Sequence, residues 1–183
     1  MQVDLAGRIA RIEGPPSALR EAIAGSLAAN GATIGTTSAG ASQSPEILVV
    51  LPGSAADTGR LARQIAATMP KGSRIVLVTS VLGLVPVRGE AEAGIEAAGI
   101  VHLTRSLAME LAQAGMLVNA IAAGAPAGEP LAARQRSHTQ FGPPTPLDIT
   151  NATLFLVDPA SSYLTGHVLA VDGGWSAGYT RDF

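Results

Sequence analysis

The chain alternates between two hydrophobic rhythms. Short runs rich in Ile and Val are followed by longer Ala- and Leu-rich stretches in which apolar residues recur at helical spacing. The first rhythm predicts strands at Arg8–Glu13, Ala32–Thr37, Glu46–Leu51, Arg74–Thr79, Met116–Ile121 and His167–Val171. The second predicts helices at Ser17–Ala29, Ala55–Met69, Glu90–Ala114 and Leu147–Val157. Turn residues punctuate them: Asn30-Gly31 closes the first helix, Pro52-Gly53 follows a strand, and Pro70-Lys71-Gly72 ends the second helix. Ser38–Pro45 is a small-residue loop, and Ala122–Pro146, dense in Pro and Gly, is expected to be loop throughout. Strand–helix alternation of this kind predicts an α/β fold, a doubly wound parallel sheet of about six strands with helices on both faces. The strands are near-continuous apolar runs, as strands covered on both faces must be. No repeat breaks the pattern, so residues 1–183 are read as a single domain.

Composition narrows the function. The chain has 183 residues, 47% of them hydrophobic, enough for a substantial core. Its net charge is −2 and its twelve Lys and Arg are scattered, which argues against nucleic-acid and membrane-surface partners. Without a cysteine there is no disulfide, thiol nucleophile or thiolate metal site. The N-terminus lacks a basic segment followed by an apolar run, and no apolar stretch reaches the roughly 18 residues of a spanning helix, so a cytoplasmic protein is expected. His102, His138 and His167 share no metal-ligand spacing, so no metal site is expected.

Four segments carry a more specific signal. Ile75–Glu110 reads as a strand, a serine loop at Ser80 and a long helix. Gly115–Gly124 holds an Asn119-x-x-x-Ala123-Gly124 strand end, Pro146-Leu147-Asp148-Ile149 opens a helix, and Ser161–Gly174 (SSYLTGHVLAVDGG) is a final loop and strand. As a set these resemble the short-chain dehydrogenase/reductase family, with Ala123 in place of the family's proline. The resemblance covers nearly the whole chain and implies a Rossmann-like fold, a nicotinamide dinucleotide and a Ser-Tyr-Lys proton-transfer set. Here the Ser falls on Ser80, the Tyr on Ala93 and the Lys on Ala97. Alanine supplies neither a proton nor a charge.

The dinucleotide end departs from the family as well. Of its three glycines, the first falls on Gly14, the second on Ala18 and the third on Arg20. Pro15 and Pro16 carry no N–H for a phosphate, and Glu13 and Glu21 bring carboxylates to the turn. Gly14 is therefore expected to serve an ordinary strand–turn–helix. Thr36, Thr37 and Ser38 stand where an acidic residue would select the ribose. Ser38–Pro45 is too short for a crossover helix, so the adenine-side strand of the family is expected to be missing. The family's Asn-Asn-Ala-Gly landmark reads Val50-Leu51-Pro52-Gly53.

These readings predict a chain that binds no cofactor and is by itself no enzyme. It is expected to pair with a catalytically active paralogue that carries NAD. The contacts implied by the resemblance are helix 90–114, helix 147–157, strand 167–171 and the aromatic tail 175–183. The long helix is apolar over more of its surface than one buried face requires. Two other readings stand beside this one. The first is an enzyme of altered, nicotinamide-independent chemistry using Ser80 or a nearby Glu (Glu90, Glu92 or Glu96). The second is a self-contained homo-oligomeric binding protein.

Overall fold

The computed structural model describes residues 1–35, 44–136 and 141–178. Among them run β1 (Ile9–Glu13), α1 (Ala18–Ala29), β2 (Thr33–Ile34), β3 (Ile47–Val50), α2 (Ala55–Ala66), β4 (Arg74–Ser80), α3 (Ala91–Leu111), β5 (Leu117–Ala123), α4 (Pro130–Arg136), α5 (Pro146–Val157) and β6 (Val168–Val171). Short 3-10 turns follow β4 at Val81–Gly83 and β6 at Trp175–Ala177.

The strands form one parallel sheet in the order β2-β1-β3-β4-β5-β6. That is the doubly wound sheet expected from the alternation. Its uniform apolar runs conceal a period of two. In β3, Ile47 and Val49 face one core with Ile23 and Leu27 of α1 and Leu154 of α5. Leu48 and Val50 face the other, with Ile65 of α2 and Leu107 of α3. Alternate side chains leave opposite faces of a strand, so a strand covered on both sides must be apolar at every position.

Local chemistry sets the helix ends. Ser17 Oγ accepts from Arg20 N at 3.2 Å, and Ser54 Oγ accepts from Asp57 N at 3.1 Å, each satisfying a donor that the helix leaves free. At α5 the Asp148 carboxylate accepts from the backbone N and the hydroxyl of Thr145, both at 2.7 Å, with Pro146 opening the helix.

Three expectations are corrected. The stretch from Ala122 to Pro146 is not all loop: β5 runs on to Ala123, and α4 lies inside the stretch. That helix buries Leu131, Ala132 and Gln135 and is too short to show a hydrophobic period, so packing rather than pattern defines it. The second strand pairs only over Thr33–Ile34, without Ala32 and Gly35 of its expected span, and residues 36–43, which include Thr36 and Thr37, lie outside the described residues. The long helix ends at Leu111 rather than Ala114, and the second helix at Ala66 rather than Met69.

Candidate functional site

Strand order reverses between β1 and β3, and in an open α/β sheet the crevice beyond the strand ends at such a point is the place for a ligand. Two regions meet there, the turn after β1 and the loop after β4.

The turn after β1 is filled by its own side chains. Gly14 has φ +124°, and a Cβ on it would lie 2.7 Å from the Cβ of Leu51. Its glycine is thus explained by backbone conformation and by close packing on the residue after β3. Arg20, at the third glycine position, folds back over the strand end. Its guanidinium donates to Ile12 O at 3.0 Å and Gly14 O at 3.1 Å. Glu13 pairs with Arg11, and Ala18 is the exposed first residue of α1. A pyrophosphate needs free N–H groups and open backbone at this turn. Pro15 and Pro16 offer no donors, and Arg20 is engaged with two carbonyls. These residues do not fit a dinucleotide phosphate.

Beyond the ends of β3, β4 and β5 lies a cavity of about 500 Å³. Leu82, Ala93, Ala125 and Leu131 supply apolar wall, and Ser80, Glu90 and Glu129 are among its polar lining. The structure therefore brings Ser80 and Ala93 to one cavity but not Ala97, Gly14 or Arg20. Ser80 Oγ accepts from Leu82 N at 3.2 Å, capping the 3-10 turn, so its proton remains free to donate. Ala97 is 4% exposed and packs in an apolar cluster with Leu82, Ala125, Leu131 and Ala132. Its carbonyl accepts from the Thr79 hydroxyl at 3.4 Å. Gly83 approaches so closely that a Cβ there would sit 2.7 Å from the Ala97 carbonyl. A long cationic side chain at position 97 would have to pass through this cluster.

The three acids of the long helix separate. Glu90 lines the cavity, with Arg134 Nη1 at 3.9 Å from its carboxylate. Glu96 Oε2 accepts from Ala55 N at 2.8 Å and so holds the first turn of α2. Glu92 is exposed. His102 and His167 are exposed, while His138 lies outside the described residues. Among the described residues no group of three or more Asp, Glu or His gathers as metal ligands.

The C-terminal motifs have structural work to do. Asn119 Nδ2 donates to Leu164 O at 2.8 Å, and Asn119 Oδ1 accepts from His167 N at 3.0 Å. Thr165 Oγ1 accepts from Val118 N at 3.1 Å. The Asp172 carboxylate accepts from Gly174 N at 2.9 Å and Ser176 N at 2.8 Å. These bonds stitch β5, the loop before β6 and the turn after it. The expectation of an exposed aromatic tail is corrected in part: Trp175 is 3% exposed, buried within this chain, and residues 179–183 lie outside the described residues. The contributions of Arg20 and of α4 were not foreseen. An arginine where a backbone-approach glycine is expected was the signal for the first, and Pro130 before an apolar pair was a faint one for the second.

Comparison with known proteins follows this division. A family model described as enoyl-(acyl carrier protein) reductase matches residues 51–176, beginning only after β1, α1, β2 and β3. The 3-oxoacyl-[acyl-carrier-protein] reductase of Rickettsia bellii is 37% identical over 109 residues, 55% of this chain and 45% of its own length. That of Vibrio cholerae is 34% identical over 125 residues, 63% of this chain and 51% of its own length. This chain spans about half the length of the curated relatives it matches. A short-chain dehydrogenase/reductase from Serratia marcescens superposes with a TM-score of 0.78 at 22% identity, over 94% of this chain and 99% of that chain. An enoyl-(acyl-carrier-protein) reductase from Anaplasma phagocytophilum, solved with NAD, reaches 0.83 at 16% identity, over 100% of this chain and 97% of that one.

At such identities the solved structures establish the fold, which is the Rossmann-like sheet expected. No helix among the described residues is long and apolar enough to cross a membrane. The expectation that the chain is by itself no enzyme is corrected by these relatives, which are named as reductases. The cavity keeps a hydroxyl and a carboxylate beside position 93. The family model spans well over half of the sequence, and on that match the chain belongs to the short-chain dehydrogenase/reductase family of oxidoreductases.

Proposed function

We propose that the chain works as a subunit of a short-chain dehydrogenase/reductase assembly, paired with a paralogue that brings an NAD site and the Tyr and Lys of the family. The reaction of the pair is hydride transfer between NAD and a hydroxyacyl thioester, a substrate class suggested by the relatives named as 3-oxoacyl reductases. The observation that carries this reading is the placing of exposed apolar side chains. Ile95 (71%) and Met109 (81%) lie on α3, Leu147 (65%) and Phe155 (42%) on α5. Exposed apolar residues gathered on particular elements favour contact with another chain. The surfaces are helix 90–114, helix 147–157, strand 167–171 and, beyond the buried Trp175, the rest of tail 175–183. In size and in lacking the family's cofactor and catalytic motifs the chain resembles the truncated subunit of the hydroxybenzylsuccinyl-CoA dehydrogenase of anaerobic toluene degradation, which works beside a second, related subunit. Residues 1–183 are read as one domain serving that pairing in the cytoplasm.

Co-expression with dehydrogenase genes from the same genome tests the pairing. One paralogue is expected to co-purify at fixed stoichiometry. The double change Ile95→Glu and Met109→Glu is expected to release it while leaving the chain folded. Isolation of the wild-type chain as a stable monomer or homo-oligomer in the presence of every candidate would sink the idea.

A second reading, nicotinamide-independent chemistry at Ser80 or Glu90, is favoured by one fact: both line the same cavity. Turnover by the chain alone, lost in Glu90→Gln, would establish it.

A further inference from the structure

The segment before β1 is clasped to the end of α1 by Asn30, and the residue that follows is Gly31. We propose that Asn30 is a site of deamidation, that the fold restrains the reaction, and that its product unlocks the segment it now holds. The site lies outside the surfaces assigned to the paralogue and does not depend on that pairing.

Asn30-Gly31 places the reacting groups side by side in the chain. The backbone nitrogen of Gly31, once deprotonated, attacks Asn30 Cγ. A C–N bond forms, the Cγ–Nδ2 bond breaks, ammonia leaves, and a five-membered succinimide remains. Water then opens the ring at either carbonyl, giving aspartate or isoaspartate. Glycine favours ring closure because it has no Cβ to block the approach and tolerates the backbone conformations the ring requires. Asn119 and Asn151, the other asparagines of the chain, are each followed by alanine.

The structure opposes the attack at both reacting groups. Asn30 Oδ1 accepts from Val3 N at 2.7 Å, and Nδ2 donates to Ser26 O at 2.8 Å, so the amide is held at each end. Gly31 N donates to Ala28 O at 2.9 Å. Asn30 has ψ 11°, which turns the Gly31 nitrogen away from Cβ, whereas the ring needs those atoms eclipsed. The reaction therefore waits for local opening. Solvent is at hand when that happens: Gly31 is exposed and, with Val3, Asp4 and Asn30, lines a surface cavity of about 490 Å³.

The product does not rebuild the clasp. A carboxylate at position 30 has no N–H for Ser26 O and puts negative charge at the C-terminal end of α1, where the helix dipole is itself negative. Isoaspartate also lengthens the main chain where the segment lies closest. Leu5 N donates to Asn30 O at 2.9 Å, and a Cβ on Gly31 would lie 3.0 Å from Ala6 N. Val3 and Leu5 are buried in the core shared with α1 and α5, so loosening here uncovers part of that core.

Incubating the full chain at mildly alkaline pH, native and in urea, tests the proposal. The tryptic peptide 21–60 contains no other asparagine, so its amide-to-acid mass gain, placed by fragment ions, measures conversion. Native conversion is expected to be at least about tenfold slower than conversion in urea. Val3→Pro removes the N–H that Oδ1 accepts and is expected to raise the native rate about fivefold or more. Asn30→Asp fixes the product: amide exchange at Val3 and Leu5 is expected to rise at least about tenfold, while β4 and β5 keep their protection. Equal rates in the two conditions, no conversion at residue 30 in either, no acceleration in Val3→Pro, or unchanged exchange in Asn30→Asp would each overturn the proposal. None of these outcomes bears on whether a paralogue co-purifies, so the two readings fail separately.

Discussion

The turn after β1 and the loop around β6 occupy comparable places, each beyond the end of a strand, yet their side chains do different things. Around β6, Asn119, Thr165 and Asp172 each make hydrogen bonds to backbone groups. At the turn, Arg20 lies over the strand end that a family glycine would leave open. The family match includes the loop around β6 and begins beyond the turn after β1. Residues that hold backbone to backbone stay recognisable because the fold depends on them. Residues whose role is to leave room for a ligand make no such bonds, and the fold tolerates their replacement.

Mutations can break this comparison, beginning with the largest effect. Asn119→Ala strands the His167 N–H and Leu164 O next to a side chain that is 2% exposed. It is expected to cost about 1–3 kcal/mol in denaturant unfolding, at about 0.5–1.5 kcal/mol for each of the two hydrogen bonds lost. Gly83→Ala would press a Cβ to 2.7 Å from the Ala97 backbone. It is expected to cost about 1–3 kcal/mol and to displace the start of α3, which a shift in amide signals of residues 91–98 would reveal. A wild-type midpoint for either variant would mean that the C-terminal half is less constrained than its geometry indicates.

Smaller effects sharpen the contrast. Arg20→Gly reinstates the family glycine but removes two hydrogen bonds from a partly exposed guanidinium. A loss of about 1 kcal/mol is expected, with no gain of NADH binding, because Pro15 and Pro16 still withhold their donors. Saturable NADH fluorescence in that variant would show Arg20 to be the sole obstacle. At α5, hydrogen bonds from the Thr145 hydroxyl and then from its backbone N–H hold the Asp148 carboxyl below its ordinary value. The stabilisation it gives is present above the unfolded carboxyl value and is lost as pH falls through the lowered folded one. Asp148→Ala is thus expected to cost about 1 kcal/mol at neutral pH and almost nothing in strong acid. The smallest effect is expected at Arg63, whose two bonds to Glu110 at 2.8 and 2.9 Å tie α2 to α3 at the surface. Arg63→Ala should cost about 0.5 kcal/mol or less, shrinking with added salt.

Much of this was legible in the chain itself. The near-continuous apolar runs announced strands buried on both faces, and Ser17 and the Pro146-Leu147-Asp148-Ile149 segment marked helix starts through chemistry that acts within a few residues. The alanines at 93 and 97 and the departures at 18 and 20 were also plain, because they are statements about residue type. The consequences of those residue types were not. That Ala97 lies in an apolar cluster depends on Leu131 and Ala132, which α4 brings from more than thirty positions away in the chain. That Glu90 lines a cavity while Glu96 caps α2 depends on which side of one helix each faces. That Trp175 is buried depends on the turn after β6 folding back on its own chain. Local propensity and period act over a few residues and are written in the sequence. Closure of space by side chains distant in sequence is decided only when the sheet and its helices are assembled.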